Sequence, residues 1–514
     1  MEGSPAHPTR PPRHELRLAG LLATGLCLTA LWVISMLTSS VPFAPTALAE
    51  ALIRITPGGV STFFIESLGH WAVRLLGLGA VVGALIVGGE LLAATVRSDE
   101  RPRPVVAGVL LAALAAIAIV LGPMDTESPV AMAIVLTSAA LVYAWIATRL
   151  CRVLSAEGGV DESRRRALRL GLGGAIGIAT FGGALGWFAK RFGGPDTNVA
   201  LVTPAQPATL PARPDFPDIP GLTPEITSAA DHYVVDINLV PPSVEADGWD
   251  LTVHGLVDRE LTLDFGSLQR RFEVVEEHSV LTCISNEVGG SLVGHSVWGG
   301  VRLADVLAAA TPSTAAVDVI FRADDGYSDS IPIEIARDPS TLIAVSQNGA
   351  PLTQEHGFPC RMRVPMIYGM KNVKWLREIE VVDFDYHGYW MERGWSDIAT
   401  VRTQSRIDVA GDDRRAEVGR PTWIGGVAWS GGRGISKVEV STDDGTTWDE
   451  AMLRPPASRF SWTLWAYEWT PEAPGSVTVV CRATDGMGDV QTSEPAPPHP
   501  SGATGLHRLP VTAF

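Results

Sequence analysis

His278-Ser279-Val280-Leu281-Thr282-Cys283-Ile284-Ser285-Asn286-Glu287-Val288-Gly289-Gly290 is the stretch on which the chain turns. An apolar, strand-like run ends in a cysteine, and a polar, glycine-rich turn follows. Cys283 is one of five cysteines, none of them in a C-x-x-C pair. A lone cysteine is most often a small buried hydrophobe. The sharper alternative is a single thiolate ligand to a soft transition metal, held at a turn that leaves room for other ligands. The rest of the chain has to decide between them.

The chain has 514 residues and a formal net charge of −16, and the two are unevenly distributed. The N-terminal part is rich in Ala, Leu, Gly and Val; the remainder carries most of the acids and nearly all of the tryptophans. Such a balance excludes a nucleic-acid surface, which needs a basic stripe. Only Cys283, Cys360 and Cys481 lie outside the apolar part, and their irregular spacing does not describe a disulfide framework.

Five apolar stretches are long enough to cross a bilayer, where about 20 residues suffice: Leu16 to Leu37, Leu68 to Val96, Val105 to Met124, Val130 to Leu150 and Leu168 to Phe188. Arginines precede the first span and fill the loops after the second and fourth, so the positive-inside rule puts the N-terminus in the cytoplasm. Five crossings then carry everything after Phe188 to the other side. Ser163-Arg164-Arg165-Arg166-Ala167-Leu168-Arg169 resembles a twin-arginine export signal, and equally fits a plain positive-inside cluster. His70 and Glu90 are the conspicuous polar residues of the spans. They offer no facing pair of histidines for a haem, so the unit is expected to be an anchor.

Gly193 to Pro224 is rich in Pro, Ala and Thr and reads as a semi-extended tether leading away from the membrane. Beyond it, Trp249 to Gly255 alternates like a strand, Leu261 to Arg271 reads as a strand plus a helix start, and Val301 to Ala310 has helical periodicity. Val317 to Phe321 and Ser330 to Ile335 read as strands around the turn Asp324-Asp325-Gly326. This mixture predicts an α+β domain.

Asn348-Gly349-Ala350-Pro351-Leu352, His356-Gly357-Phe358-Pro359-Cys360-Arg361 and Val373-Lys374-Trp375-Leu376 follow in order. Together they resemble the sulfite oxidase family of molybdenum enzymes, whose pattern is close to N-G-x-P-L, H-G-F-P-x-R and V-K-W-L. The resemblance covers Tyr233 to the C-terminus and implies a molybdenum–molybdopterin cofactor. It implies that Cys283 is the protein ligand to molybdenum. It further implies that His356, Arg361, Lys371 and Lys374 hold pterin and phosphate, that Asn372 and Val373 contribute backbone, and that Asp324 is a pterin contact. Cations and backbone donors suit an anionic pterin phosphate.

The departures bear on the substrate. Where the family reads C-A-G-N-R-R, this chain has Cys283-Ile284-Ser285-Asn286-Glu287-Val288. Asp236 and Asn238 stand at the first substrate arginine and the pterin-contacting histidine, and Trp395 stands at the active-site tyrosine. Carboxylates at Asp236 and Glu287 would repel sulfite unless burial kept them neutral. Trp395, Trp390 and Tyr389 suit a neutral or partly apolar substrate. Oxygen-atom-transfer chemistry on a small substrate other than sulfite is therefore expected, to or from a neutral S-oxide or N-oxide being equally open, with sulfite oxidation as the alternative and Cys283, Trp395 and Asp236 as catalytic candidates. The chain shows no C-x-x-C-H haem motif, so a separate carrier or quinone is expected to exchange electrons with it.

After Thr400, strand-like runs alternate with turns such as Asp443-Asp444-Gly445, and Trp462, Trp465 and Trp469 recur. This predicts an all-β sandwich, similar to the family's immunoglobulin-like dimerisation domain, with a Pro-rich, extended tail after Glu494. The expected organisation is a five-helix membrane anchor over 1–192, a linker over 193–225, a molybdopterin-binding α+β domain over 226–397 and the sandwich over 398–514, forming a homodimer. A non-enzymatic membrane protein with an exported immunoglobulin-like binding domain would explain the spans and the sandwich, but not the H-G-F-P-x-R and V-K-W-L set.

Overall fold

The computed structural model describes residues 12–37, 43–56, 64, 71–95, 103–121, 129–154, 197–205, 207–212, 215–238 and 242–514. The chain divides into two compact units, residues 1–194 with 238–240, and residues 195–237 with 241–514.

In the first unit, α1 (Arg13–Leu37), α2 (Ala44–Ile55), α3 (Trp71–Ala94), α4 (Pro104–Leu121) and α5 (Pro129–Leu154) pack as a bundle. Four of these, all but α2, are long and apolar enough to cross a membrane. The fifth expected span, the arginine run at 163–169 and His70 lie outside the described residues. Small residues let α1 and α3 approach closely: a Cβ at Gly20 would lie 2.6 Å from the Gly88 carbonyl oxygen. Glu90 is paired with Arg17 at 2.8 Å, so the conspicuous acid of the spans has a local partner.

The second unit opens on the segment expected to be a free tether, and from residue 197 that segment is docked. Val199 and Leu201 pack against the core, the Val202 amide donates to Gln269 Oε1 at 3.0 Å, and Ala208 N donates to Glu276 Oε2 at 2.9 Å. Prolines keep this strap from pairing with itself, and its scattered apolar residues gain by burial.

The molybdopterin-like domain contains two sheets. One orders β2 (Leu261–Asp264), β1 (Asp250–Gly255), β10 (Leu376–Val382), β5 (Asp318–Ala323) and β6 (Ser328–Pro332). The other orders β3 (Val274–Thr282), β4 (Val293–Arg302), β7 (Leu342–Gln347) and β8 (Ala350–Pro351), with β9 (Arg361–Arg363) on β7. Asp264 caps α6 (Phe265–Arg271) by accepting from Ser267 N at 2.7 Å. Helix α7 spans Leu303–Ala310 and stops where Thr311 enters the left-handed region. The strand expected to reach Ile335 ends at Pro332, and α8 (Ile333–Ala336) forms one helical turn there.

The C-terminal part is a two-sheet sandwich. β11 (Gln404–Ala410), β13 (Thr422–Trp429), β17 (Thr463–Trp469) and β16 (Met452–Leu453) form one layer. β12 (Arg415–Ala416), β19 (Arg508–Ala513), β18 (Gly475–Asp485), β14 (Ile435–Ser441) and β15 (Asp449–Glu450) form the other. Ile424 and Trp465 meet Val438, Val479 and Cys481 between the layers. The tail expected to be extended ends instead in β19, because Leu509, Val511 and Ala513 alternate into that core. Asp443 accepts from the amides of Thr446 and Thr447 at 3.0 and 2.8 Å, which is turn chemistry.

Candidate active site

Strand β3 delivers Cys283 to the end of a buried ladder. Cys283 N donates to Leu292 O at 2.9 Å, and its own carbonyl accepts from Asn286 N at 3.1 Å. Asn286 Oδ1 accepts from Leu292 N at 2.8 Å, closing the turn from within, and Gly289 takes a positive φ of 77° to complete it. The Cys283 sulfur lies 2.9 Å from Ser285 Oγ. Burial pushes the thiol up, and the hydrogen bonds from Ser285 and the Ile284 amide only partly oppose this. Such a thiol stays protonated in neutral solution unless a cation displaces its proton, as a soft metal does.

The H-G-F-P-x-R and V-K-W-L segments come together beside Trp298, which is fully buried and donates from Nε1 to Ser279 O at 3.3 Å. His356 is held by its ring, Nε2 lying 2.7 Å from Ala229 O. Arg361 donates to His356 O and Asn372 O, both at 3.1 Å, and its guanidinium lies 5.3 Å from the Trp298 ring centroid. Arg363 projects from the same face of β9, as period-two geometry requires. It donates to Asn372 Oδ1 at 3.0 Å and to Val280 O, tying the 369–374 turn to the strand that carries Cys283. Lys374 pairs with Asp236 and donates to Glu355 O at 2.9 Å.

Burial lowers Arg361 to about 10 and Arg363 to about 9. Among the described residues, no carboxylate pairs with either guanidinium, and Arg363 Nε has no partner. His232, buried with its ring 5.5 Å from His356, has an unpartnered Nε2 and is pushed down to about 3 by burial. Two buried cations facing carbonyls and an indole carry charge that wants an anion, because unpaired buried charge is costly. Planar guanidinium donors suit a phosphate or a polar pterin edge. The residues therefore fit a molybdopterin: Arg361, Lys374, His356 and His232 would hold it, and the Cys283 sulfur would bind its metal.

The expected residues are placed unevenly. Asp236 sits with Lys374 and within electrostatic reach of Asp325, rather than with Cys283. Asp324 pairs with Arg377 at 2.8 Å. Lys371 is buried and donates to Asp329 and Asp397, both at 3.1 Å, and to Ser330 O at 2.8 Å, so its ammonium group is spent within the protein. The side chain of Asn372 is likewise spent, accepting from Val364 N at 2.7 Å and donating to Tyr368 O at 3.1 Å. Val373 O accepts from Met362 N at 2.8 Å. Trp395 is buried against Trp390 and His499, at centroid distances of 6.2 and 5.1 Å. Residues 238–240, with Asn238, group with the first unit in the division of the chain. Glu287 is exposed on the turn after Cys283.

Sequence reasoning missed Arg363 and His232. The Arg-Met-Arg alternation of β9 held the signal for Arg363. Nothing local to His232 marks it, because its neighbours come from distant parts of the chain.

Two family models match the chain: the oxidoreductase molybdopterin binding domain over residues 238–390 and the Mo-co oxidoreductase dimerisation domain over residues 395–496. Human mitochondrial sulfite oxidase is 34% identical over 233 residues, covering 39% of this chain and 43% of the relative. The chain thus spans about two fifths of that relative's length. Chicken sulfite oxidase is 31% identical over 308 residues, covering 51% and 67%. The oxidoreductase YuiH of Bacillus subtilis is 34% identical over 156 residues, covering 30% and 76%. With a cysteine-bearing strand, a cationic cradle and both domain types in order, the chain belongs to the sulfite oxidase family of molybdopterin oxidoreductases.

Proposed function

We propose that this protein is a membrane-anchored, molybdenum cofactor-dependent oxidoreductase that carries out oxygen-atom transfer on a small neutral substrate, such as an S-oxide or N-oxide, outside the cytoplasm. Bound molybdenum–molybdopterin supplies the two-electron Mo(VI)/Mo(IV) couple for that chemistry. Cys283 anchors the metal, and Arg361, Lys374, His356 and His232 hold the pterin and its phosphate.

One observation carries the choice of substrate. The residues after Cys283 are Ile284, Ser285, Asn286, Glu287 and Val288, and the Ser285 hydroxyl lies 2.9 Å from its sulfur. The buried cations Arg361, Arg363 and Lys374 are committed to the cradle. A dianion such as sulfite needs charge-assisted, bidentate donors, whereas a neutral oxide needs a hydrogen bond and a desolvated wall. The pairing of Asp236 with Lys374 removes Asp236 from the charge argument and leaves it resting on Glu287 and the missing arginines.

The helices of the first unit are the anchor, and the arginine-rich loops place the N-terminus in the cytoplasm. The C-terminal sandwich, immunoglobulin-like in this reading, joins two copies. Electrons pass to a separate carrier or to quinone. The purified holoprotein is to be screened against sulfite, dimethyl sulfoxide and trimethylamine N-oxide. Turnover of an oxide with weak sulfite activity is expected; tight sulfite turnover returns the protein to the sulfite oxidase reading.

A further inference from the structure

Asp236 stands on the segment over residues 228–237, which runs along one side of the cradle, and three groups of that segment turn inward. Ala229 O lies 2.7 Å from His356 Nε2. The His232 ring sits 5.5 Å from that of His356 and 5.8 Å from that of Trp298. The Asp236 carboxylate pairs with Lys374, the two side chains being 11% and 12% exposed. Val234 and Val235, between them, are 41% and 44% exposed, so the segment covers the cradle without entering the core. Gly357, at a φ of 103°, lets the two basic stems beneath it converge: a Cβ there would lie 2.9 Å from Lys374 Cβ and 3.2 Å from Arg361 Cβ.

The Lys374 ammonium is already engaged in this arrangement. Besides pairing with Asp236, it donates to Glu355 O at 2.9 Å and lies 4.3 Å from the Trp375 ring centroid. Burial lowers Lys374, and the Asp236 carboxylate opposes that shift; the same carboxylate acts on Arg361. Yet Lys374 and Arg361 are two of the groups assigned above to an anionic pterin phosphate. An ammonium neutralised by a carboxylate attracts a phosphate less, and the two anions repel one another where water is scarce. Without the phosphate, the carboxylate keeps a shielded ammonium from standing alone, which is costly. One lysine therefore faces two anions that do not suit it together.

We propose that Asp236 is a built-in counter-ion, which holds Lys374 before the cofactor is bound and gives it up to the anionic group of the cofactor. The ion pair and cofactor binding then oppose one another, and the pair closes the segment 228–237 over the cradle of the cofactor-free protein. The inference rests on the molybdopterin reading above.

The test is a thermodynamic cycle on the full chain. Wild type, Asp236→Asn, Lys374→Met and the double variant are prepared cofactor-free, from cells that cannot make molybdopterin, and loaded. Asparagine keeps the size of Asp236 and a hydrogen bond to the ammonium while removing the charge. Melting of each form is followed by tryptophan fluorescence. The cofactor-free proteins are also titrated with molybdenum–molybdopterin released from a donor molybdoprotein, and bound pterin and molybdenum are measured, a readout independent of turnover. Asp236→Asn is expected to lower the melting temperature of the cofactor-free form and not of the loaded form. It is expected to tighten the apparent Kd for the cofactor about 10-fold, within the usual range of coupling between two ligands. Loading then raises its melting temperature more than that of the wild type, because tighter binding to the folded state stabilises it more. In the Lys374→Met background, Asp236→Asn should no longer lower the melting temperature of the cofactor-free form. Equal losses of melting temperature in both forms with an unchanged Kd would make the pair an ordinary structural one and overturn the proposal. So would a loss in the cofactor-free form that persists with Lys374 replaced. A wild type that binds neither pterin nor molybdenum sinks the molybdopterin reading and the counter-ion role with it, whereas a wild type that loads while Asp236→Asn changes nothing sinks the counter-ion role alone.

Discussion

Cys283 shows how a residue changes meaning with its surroundings. Its thiol is buried and raised, as a core cysteine would be. It also stands at a strand end beside the cradle of buried cations, as a metal ligand would. Cys283→Ser separates the two. Serine is nearly isosteric, so the melting temperature of the apoprotein should stay close to wild type. Loss of an outer-shell partner of a metal typically costs 10–100-fold, so loss of the protein ligand itself should lower turnover more than about 100-fold. Retained activity would return Cys283 to the core. Arg363 makes the complementary point: an arginine in a short polar strand suits a solvated face, and it is fully buried beside Arg361.

At the scale of elements, β3 is the shared piece. Along one edge it pairs with β4, and along the other Val280 N donates to Phe460 O at 2.9 Å while Ser458 Oγ donates to His278 O at 2.6 Å. His278 and His295 lie buried on this strand pair with ring centroids 5.5 Å apart. Trp462 packs on His295, Glu225 O lies 2.5 Å from its Nδ1, and Arg363 is near enough to act on it. Burial, then His278, then Arg363 lower His295 to about 3. The folded protein therefore refuses a proton that the unfolded chain accepts. The stability linked to His295 is complete above about pH 6.5 and is lost as pH falls from 6.5 toward 3, at up to about 1.4 kcal/mol per pH unit. His295→Asn should shift the acid-unfolding midpoint to lower pH; an unchanged midpoint by circular dichroism would show that this histidine does not limit acid stability.

For the whole molecule, the strap over residues 215–227 ties the parts of the second unit together. Glu225 pairs with Arg454 of the sandwich, with side chains 9% and 3% exposed, and its carbonyl accepts from Trp462 Nε1 at 2.9 Å. Arg406 adds a hydrogen bond to Thr223 Oγ1 at 2.9 Å. Removing one partner of a buried ion pair costs about 3–5 kcal/mol. Glu225→Gln should accordingly loosen the sandwich, read as faster hydrogen exchange in β13 and β17; unchanged exchange would mean the strap is passive. Export belongs to this scale too. On the export reading of the arginine run, a domain loaded with its cofactor in the cytoplasm crosses the membrane folded, and Arg164→Lys with Arg165→Lys should then leave it inside, measured by protease protection. Normal export of the folded domain would point to a plain topogenic cluster instead.

The sequence by itself determined the class of molecule. Apolar runs identify the four described helices long and apolar enough to cross a membrane, because bilayer thickness sets a length that few soluble helices reach. Alternation identifies β14 because a half-buried strand has period two. The spaced H-G-F-P-x-R and V-K-W-L residues marked Arg361 and Lys374 as partners for an anion. Tertiary structure alone decided which candidates share a site. Lys371 is equally basic on paper, but folding brings Asp329 and Asp397 to it and spends its charge. Asp236 meets Lys374 across 138 residues of chain, and His232, from the same N-terminal segment, meets His356. The docked strap and the final strand β19 were hidden for the same reason: Pro-rich composition describes what a segment cannot do alone, while its burial depends on a surface that exists only after the rest has folded.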